Sequence, residues 1–503
     1  MTNHKLVLKN TIFLYIRLII TVLVTLYTTR VVLNVLGVTD FGIYNVIGGV
    51  VAMLTFLTST MSNASTRFFS FELGKGTAKS RLDTFKTTLT IYLLIVLGII
   101  IVGETLGLWF IKNKLNLATD RYVAAHYVYQ FSLLSLILNI IRIPFNALII
   151  AHERMNFYAY ISIVESVLKL GIVYLLIISP WDKLAFYSIL VASVVGIITF
   201  IYYIYSTRHF HECKIGIIYS PSKFKEILCF SSWNLFSNFG DVMMDQGLNI
   251  ILNIFFGPVA NAARGIAYNV KGVMMSFAGN FQSATSPQIT KHYASTEYQD
   301  MHTLVVQSSR LTYYLILIIV VPSFFCMKKL LDIWLKNVPE YTYIFTLLLM
   351  IDVLILAMGG TLNNAIQATG RIKKFVISLS NIKLIMFGLV YLGFRFGHLL
   401  PQYAFYISIL NSFCCMLCKF FFYSKVINIS IRKIIHNIIL REAIVTLLCV
   451  TLIFPFYIMF YDSDNLICVL IFTCATFITT LLSVLFIGLT SKERNKLKSF
   501  IKR

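Results

Sequence analysis

Residues 170–175 read Leu170-Gly171-Ile172-Val173-Tyr174-Leu175, and the pattern returns at residues 387–392 as Phe387-Gly388-Leu389-Val390-Tyr391-Leu392. The second copy begins 217 residues after the first (387 minus 170). Such a duplicated half, in a very hydrophobic chain, predicts two copies of one helical bundle, an architecture typical of transporters. Other pairs keep nearly the same spacing, namely Asn146 with Asn363, Ala151 with Ala368, Arg154 with Arg371, Val31–Val35 with Ile250–Ile254, and Ala185–Tyr187 with Ala404–Tyr406.

The composition is that of a membrane protein. Hydrophobic residues make up 58% of the 503 residues, charged residues only 13%, and the mean hydropathy is +0.79. About 20 helical residues, each rising about 1.5 Å, span a hydrocarbon core of about 30 Å. We therefore predict an all-α integral membrane protein with about 14 transmembrane helices. The predicted spans are 10–36, 41–64, 87–110, 126–150, 158–179, 184–206, 227–256, 259–285, 309–334, 342–365, 375–395, 402–424, 441–461 and 466–489.

The net charge of +22 is distributed unevenly across the predicted topology. The loops and terminal segments on one side of the membrane contain 27 lysines and arginines, and the loops on the other side contain eight. Because basic loops face the cytoplasm, both termini are predicted to be cytoplasmic. This asymmetry, with some attraction to anionic lipids, accounts for the charge and argues against nucleic-acid binding.

Each copy of the repeat holds six spans. Because six is an even number, both copies enter the membrane from the same side and are predicted to be parallel, related by an axis along the membrane normal. Between the second copy and the last two spans, five isoleucines at residues 431–439 share one helical face opposite basic and polar residues, which predicts a helix on the inner membrane surface. The predicted divisions are an N-terminal lobe (1–206), a cytoplasmic linker (207–226), a C-terminal lobe (227–424), an interfacial amphipathic helix (425–440), helices thirteen and fourteen (441–489) and a basic tail (490–503).

The seventh span carries a continuous polar stripe. Its members recur at helical spacing, so they share one face at about 100° per residue. Two carboxylates four residues apart in a low-dielectric cavity repel, so one is expected to switch between neutral and charged as the cavity opens to either side. Asp241 and Asp245 are therefore predicted to couple transport to H+ or Na+. The remaining members of the stripe, predicted to line the same cavity, are Asn234, Asn238 and Asn249.

The seventh and eighth spans are expected to be antiparallel neighbours joined near Pro258. Residues whose numbers add up to about 516 would then lie at equal depth, which predicts that Asp245 faces Lys271 near the middle of the membrane. A static buried ion pair that only fixes helix packing is the alternative to a switch, because buried pairs add specificity more than stability.

Basic residues inside the spans outnumber acidic ones. Ionisable groups in hydrocarbon are costly and point to a function. The excess predicts a cationic cavity and an anionic cargo, and arginine suits phosphate because its planar fork bonds two oxygens at once. The residues predicted to bind the substrate are Arg17, Arg30, Arg142, Arg264 and Lys271.

Other motifs argue against an enzyme. Cys415-x-x-Cys418 has no second ligand pair in its helix, and His209-x-His211-x-Cys213 is interpreted as part of a solvated loop. No nucleotide-binding glycine loop occurs in the sequence. We therefore predict no catalytic residue, no metal site and no cofactor other than a coupling ion.

Two segments resemble a known family. The first half reads Tyr27-Thr28-Thr29-Arg30-Val31-Val32-Leu33-Asn34-Val35-Leu36-Gly37 and then Asp40-Phe41-Gly42-Ile43-Tyr44-Asn45. The second half reads Asn253-Ile254-Phe255-Phe256-Gly257-Pro258-Val259-Ala260-Asn261-Ala262-Ala263-Arg264-Gly265. Both resemble segments of polysaccharide flippases in the multidrug/oligosaccharidyl-lipid/polysaccharide (MOP) exporter superfamily, in the O-antigen-type branch. The likeness covers nearly the whole chain.

The resemblance implies a protein of the bacterial inner membrane that serves lipopolysaccharide or other polysaccharide biosynthesis. Such flippases move an undecaprenyl-pyrophosphate-linked oligosaccharide from the inner to the outer leaflet, by rocking two lobes about a cationic cavity with a proton or sodium gradient. The implied partners are the lipid-linked oligosaccharide, membrane lipids and polysaccharide-assembly proteins. Helices thirteen and fourteen resemble those that form a lipid-tail groove in related lipid II flippases.

Three alternatives stay open at this point. A cation-coupled drug or organic-ion exporter of the same superfamily would favour acidic cavity residues and twelve helices. A membrane polysaccharide polymerase would carry one long external loop with arginines, whereas the external loops here are short. A scaffold without transport activity would leave the paired aspartates and the duplicated bundles unexplained.

Overall fold

The computed structural model describes residues 4–55, 65–66, 68–69, 72–73, 77–152, 154–216, 220–221, 224, 236, 238–369, 372–460, 466–490 and 493–494. In this part of the chain the regular secondary structure is helical throughout. The helices are α1 (His4–Met53), α2 (Ala78–Val102), α3 (Leu108–Lys114), α4 (Tyr122–Ala151), α5 (Met155–Ile178), α6 (Lys183–His209), α7 (Leu248–Ala294), α8 (Tyr298–Leu335), α9 (Thr342–Ala368), α10 (Lys373–Gly397), α11 (Tyr403–Ile427), α12 (Ile431–Ile435), α13 (Arg441–Phe460) and α14 (Leu466–Ser483). Turns of π-helix lie at Gly103–Gly107, Met243–Gly247, His436–Leu440 and Val484–Gly488.

Twelve helices of the described chain are long and apolar enough to cross a membrane. Two of them, Ile19–Met53 and Asn238–Gln282, each cover two predicted spans, and the other ten correspond to one predicted span each. The all-α prediction is confirmed, while the count of fourteen crossings stays a prediction.

The two double-length helices bend at equivalent glycines. Gly37 has φ 78° and ψ 170°, and Gly257 has φ 76° and ψ −174°. These glycines lie 220 residues apart (257 minus 37), close to the spacing of the sequence repeat. Only glycine adopts such angles without strain, because a Cβ would meet the backbone. The duplication is therefore a property of the backbone as well as of the sequence.

We expect Gly257→Ala to lower the free energy of unfolding by about 1–3 kcal/mol, because alanine is strained at this backbone conformation. Thermal unfolding of the purified protein in detergent measures the change. Gly272→Ala is the matched control on the same helix, since a Cβ there meets no atom within 4 Å and alanine favours helix. Equal melting temperatures for the two variants would contradict the assignment of strain to the bend.

The described chain forms two compact units. One comprises Met1–Gly265 with Lys383–Pro401, and the other comprises Ile266–Ile382 with Gln402–Arg503. The boundary falls within α7, so these units do not coincide with the lobes expected at 1–206 and 227–424, which stay a prediction. The core of the first unit includes Phe85 and Phe145, and that of the second includes Phe375 and Phe420.

The segment 425–440 differs from the expected surface helix. Residues up to Ile427 end α11, and α12 continues through a π-turn into α13. Ile434 and Ile438 are fully buried in the second unit against the core that contains Phe420 and Tyr423. The amphipathic pattern is correct, because Arg432 and His436 are exposed. The end of α11 and the first part of α8 supply the apolar surface that the sequence pattern assigned to the membrane.

The last two helices pack on α8 in the second unit. Tyr313 and Leu317 of α8 share a core with Val445 of α13 and Phe472 of α14. One turn before this core on the same helix, Arg310 donates from Nη2 to Glu493 Oε1 at 2.7 Å, and both side chains are largely buried. An ion pair thus joins α8 to the segment that follows α14.

Candidate functional site

Asp245 lies in the π-turn Met243–Gly247 and pairs with Arg264 of α7. Arg264 Nη2 donates to Asp245 Oδ1 at 2.6 Å and to the Asp245 carbonyl oxygen at 2.6 Å. The arginine side chain is 5% exposed, whereas the aspartate side chain is 46% exposed. The guanidinium is therefore buried, whereas its carboxylate partner is accessible to solvent.

Lys271 pairs with Asp352 of α9, so the predicted pair between Asp245 and Lys271 is wrong. Lys271 Nζ lies 2.6 Å from Asp352 Oδ2, and Ser412 of α11 donates to Asp352 Oδ1 at 2.5 Å. The prediction placed partners at equal depth. Instead, Arg264 lies about five residues nearer to the bend at Gly257 than Asp245 does, which corresponds to about 7 Å along a helix. The long arginine side chain covers this distance.

Asp241, one turn before Asp245, has its own basic partner. Lys383 Nζ of α10 lies 2.5 Å from Asp241 Oδ1. The aspartate side chain is 56% exposed and the lysine side chain 13% exposed. Each carboxylate of the stripe is thus balanced by a separate cation, which reduces the repulsion between the two aspartates that the sequence suggested.

Asn249 belongs to a buried network around the Gly257 bend. Its Nδ2 donates to the Asn45 carbonyl oxygen at 3.0 Å, and it accepts from Asn261 Nδ2 at 2.8 Å. Asn253 donates to Asn261 Oδ1 at 2.9 Å and accepts from the Asn116 backbone N–H at 2.9 Å. This end of the stripe joins α1 to α7. Asn238 is half-buried, and Asn234 lies outside the described residues.

Arg30 and Arg142 differ from the other predicted substrate-binding residues. Both are half-buried, and neither has a carboxylate partner within the part of the chain that the structure describes. Arg142 lies over the ring of Tyr202, with Cζ 5.5 Å from the ring centroid. The side chain of Arg17 lies outside the described residues. Of the predicted cations with described side chains, Arg264 and Lys271 are thus paired with acids, and Arg30 and Arg142 are not.

The cysteine motifs are parts of packed structure. His209 stacks on Tyr205, with ring centroids 4.2 Å apart. Cys213 is buried, and this burial, with the charge of Glu212 nearby, raises the pKa of its thiol to about 12. Cys415 is buried in the core of the second unit.

Two residues of these ion pairs were missing from the predicted site. Asp352 and Lys383 are each the sole ionisable residue near the middle of their spans. A lone charge inside a span indicates a partner or a function, and this was the feature by which the sequence could have identified them. Their partners lie 81 and 142 residues away in the chain, a separation that no helical periodicity encodes.

A family model described as polysaccharide biosynthesis protein matches residues 7–293, more than half of the chain. The chain belongs to the polysaccharide biosynthesis protein family. The matched residues include both segments on which the sequence resemblance rested, and the resemblance to polysaccharide transporters of the MOP superfamily is confirmed, while the O-antigen-type branch stays a prediction. A comparison with curated proteins found no match.

Solved structures show that this family member has the fold of MOP superfamily transporters. An inward-facing multidrug resistance MATE family transporter of that superfamily aligns with TM-score 0.64 and 13% identity, over 82% of this chain and 96% of the other. The lipid II flippase MurJ, in an inward closed conformation, aligns with TM-score 0.64 and 13% identity, over 95% and 98%. An outward-facing MATE transporter aligns with TM-score 0.57 and 13% identity, over 84% and 96%.

Proposed function

We propose that this protein moves an undecaprenyl-pyrophosphate-linked oligosaccharide from the inner to the outer leaflet of the bacterial cytoplasmic membrane. The observation that carries the proposal is that Arg30 and Arg142 are each half-buried and have no carboxylate partner among the described residues. Cations within a membrane need a counter-charge. A pyrophosphate supplies it in the bidentate geometry that arginine prefers.

The lipid-linked unit is proposed to be an O-antigen-type repeat that polysaccharide-assembly proteins take up on the outer face. Membership of a polysaccharide biosynthesis family supports a saccharide cargo. Alignment with a lipid II flippase over 95% of this chain supports a lipid-linked one. A long isoprenoid stays in lipid while only the head group needs a polar path, which fits a cationic interior.

We infer that the accessible pair of Asp245 with Arg264 is where ion binding meets substrate binding. The 2.6 Å contact between them neutralises both groups. A proton or sodium ion on Asp245 would weaken this contact, so the guanidinium would exchange its carboxylate partner for phosphate. Asp241 and Lys383 repeat the arrangement one turn away, again with the carboxylate as the more exposed partner. A gradient that loads the aspartates from one side would then drive alternating access.

Asp245→Asn and Asp241→Asn are expected to uncouple transport from the ion gradient. A potential of 100 mV acting on one coupled charge is worth about 2.3 kcal/mol, or about 50-fold in the leaflet ratio. In proteoliposomes with an imposed proton or sodium gradient, the double variant is expected to bring the leaflet ratio of a lipid-linked oligosaccharide close to one. Asp300→Asn, at an exposed residue of α8, is the control. Gradient-dependent transport by the double variant at the wild-type ratio would remove these aspartates from the coupling mechanism.

The function itself is tested by deleting the gene and measuring on which leaflet the lipid-linked oligosaccharide accumulates. Flipping predicts build-up on the cytoplasmic leaflet. Single repeat units accumulating on the outer face would instead support a polymerase. The alignment with multidrug transporters keeps an organic-cation exporter as the second candidate. It predicts normal oligosaccharide export in the deletion strain, together with greater sensitivity to cationic dyes.

A further inference from the structure

Glu442, the second residue of α13, is a fully buried acid in the second unit. The residue is 0% exposed. Neither of its carboxylate oxygens accepts a hydrogen bond from any residue that the structure describes. Burying a charged carboxylate without a donor is far more costly than burying the neutral acid, so such groups take up a proton instead.

The hydroxyl groups near Glu442 do not donate to its carboxylate. Thr446, one turn later, donates its hydroxyl hydrogen to the Glu442 carbonyl oxygen at 2.8 Å. The hydroxyl oxygens of Thr446 and Tyr313 lie 2.7 Å apart, and because the Thr446 hydrogen is already used, Tyr313 is the donor. The hydroxyl of Tyr314 is buried and has no partner in the described chain. Its ring lies against Gly488, where a Cβ would approach to 2.9 Å.

The cation that acts on the Glu442 carboxylate is paired with a different acid. The charge of Arg310 on α8 reaches Glu442, but Arg310 Nη2 donates to Glu493 Oε1 at 2.7 Å. The Nε–H of the same guanidinium is buried and has no acceptor among the described residues. One arginine therefore lies near two carboxylates, binds one of them and keeps an unused donor.

The other titratable groups near this acid come from the same three elements. They are Tyr313 and Tyr314 of α8, Arg441 and Cys449 of α13, and Arg494 of the segment after α14. Arg441 is exposed, so solvent screens its charge. His436, in the π-turn before α13, is also exposed, and α14 with its π-turn contains no charged residue. A change of charge at Glu442 therefore acts mainly on Arg310.

We propose that Glu442 is a proton-binding site and that its carboxylate competes with Glu493 for Arg310. With the proton bound, Glu442 is neutral and Arg310 holds Glu493. When the proton leaves to water, the charged Glu442 accepts from the free Nε–H and repels the second carboxylate. The guanidinium then holds the segment after α14 less tightly.

The site differs from the proposed coupling site in place and in role. By the predicted topology, the start of α8, the start of α13 and the segment after α14 all lie at the cytoplasmic side. The attachment of this segment therefore responds to the cytoplasmic proton concentration. Asp241 and Asp245 belong to the first unit, and the inference depends neither on them nor on the cargo, so its failure leaves the proposed function untouched.

Infrared difference spectroscopy of the full-length protein in nanodiscs tests for the proton. The C=O stretch of a protonated carboxylic acid is distinct from the bands of a carboxylate, and Glu442→Gln is expected to remove one such band. Asp300→Asn, at an exposed acid of α8, is the control and is expected to leave the band unchanged. If Glu442→Gln removes no protonated-acid band, the proposal is wrong. Loss of the band on addition of Na+ at constant pH would also overturn it, because sodium would then be the ligand.

Glu493→Gln tests the competition without changing Glu442. When the rival carboxylate is absent, Arg310 is free to pair with Glu442. The proton is then expected to leave at the same pH, and the protonated-acid band to shrink. An unchanged band would refute the competition. Because this variant keeps Glu442, it also provides the test if Glu442→Gln does not fold.

Hydrogen exchange measures the attachment of the segment after α14. Wild-type protein and Glu442→Gln are compared at the same pH, so that intrinsic exchange rates cancel. The comparison runs from about pH 5 to about pH 9, a range in which buried glutamates titrate. At the acidic end, the peptide that contains Glu493 is expected to exchange equally in both proteins. At the alkaline end, it is expected to exchange about tenfold faster in the wild type, as for one lost hydrogen bond to a charged group. Equal exchange over the whole range would refute the switch.

Discussion

Lys271→Met is expected to lower the free energy of unfolding by about 3–5 kcal/mol, because it leaves Asp352 as a buried carboxylate without its cation. The aspartate side chain is only 2% exposed, so water cannot replace the ammonium group, which lies 2.6 Å away. Ser412 would remain as a donor to Oδ1, but a neutral hydroxyl does not balance the charge. The melting temperature in detergent and the yield of folded protein measure the loss.

Two further variants make this result specific. Lys383→Met removes the same kind of cation from Asp241, but that carboxylate is 56% exposed. Because solvent screens an exposed pair, the expected cost is about 1 kcal/mol or less. In the double variant Lys271→Met/Asp352→Asn no buried charge remains, and most of the lost stability is expected to return. If the double variant is no more stable than Lys271→Met, the loss comes from packing of the lysine chain rather than from charge.

The double variant also separates structure from mechanism for this pair. With stability restored, wild-type transport would assign Lys271 and Asp352 a purely structural role. Loss of transport in a stable double variant would instead place the pair in the conformational cycle. The ion pair of Asp245 with Arg264 does not enter this comparison, since it involves neither residue.

Arg142→Ala and Arg30→Ala are each expected to reduce the initial rate of lipid-linked oligosaccharide transport about 10- to 100-fold. A hydrogen bond to a charged group is worth about 1.5–3 kcal/mol, and each 1.4 kcal/mol corresponds to a factor of ten. The rate is measured in proteoliposomes from the exposure of the saccharide to a lectin on the far side. Lysine at either position keeps the charge but loses the fork, so a partial rate is expected.

Arg154→Ala is the matched control for these arginines, because Arg154 is exposed at the start of α5. It is expected to transport at the wild-type rate. The melting temperature adds a second readout. Because neither Arg30 nor Arg142 has a carboxylate partner in the described structure, removing either arginine leaves no unpaired acid, and little loss of stability is expected. Wild-type transport by both alanine variants would exclude these arginines as phosphate ligands.

The repeat and the hydrophobic runs were sufficient to predict the helical membrane fold, because both follow from local composition and spacing. The turn expected near Pro258 lies one residue earlier, at Gly257, where the backbone angle requires glycine. The partner of Asp245 was missed because the prediction considered only residues at the same depth in the membrane. The arginine side chain is long enough to reach Asp245 from a different depth. The contacts of Lys271 and Lys383 depend on how distant helices pack, which local spacing does not determine.

The polar stripe shows the same limit. Its periodicity correctly marked one face of a helix, yet that face divides into accessible aspartates and a buried asparagine network at Asn249. Which end is buried depends on the position of α1, whose Asn45 carbonyl oxygen accepts from Asn249. Similarly, the isoleucines of α12 and its π-turn were recognised as one apolar face, but the neighbours that cover them are the end of α11 and, at the π-turn, α8.

The contact of Arg310 with Glu493 gives the residues after α14 a practical importance. A shortened version of the protein that stops at Thr490 would discard the carboxylate and leave a guanidinium that is 8% exposed in the second unit. Trimming of this kind is common when membrane proteins are prepared for crystallisation or display. It would remove the ion pair that joins α8 to the segment after α14 and so destabilise the packing of α8. Affinity tags and reporter fusions are best placed so that Glu493 is kept, because its carboxylate is the partner of Arg310 on α8.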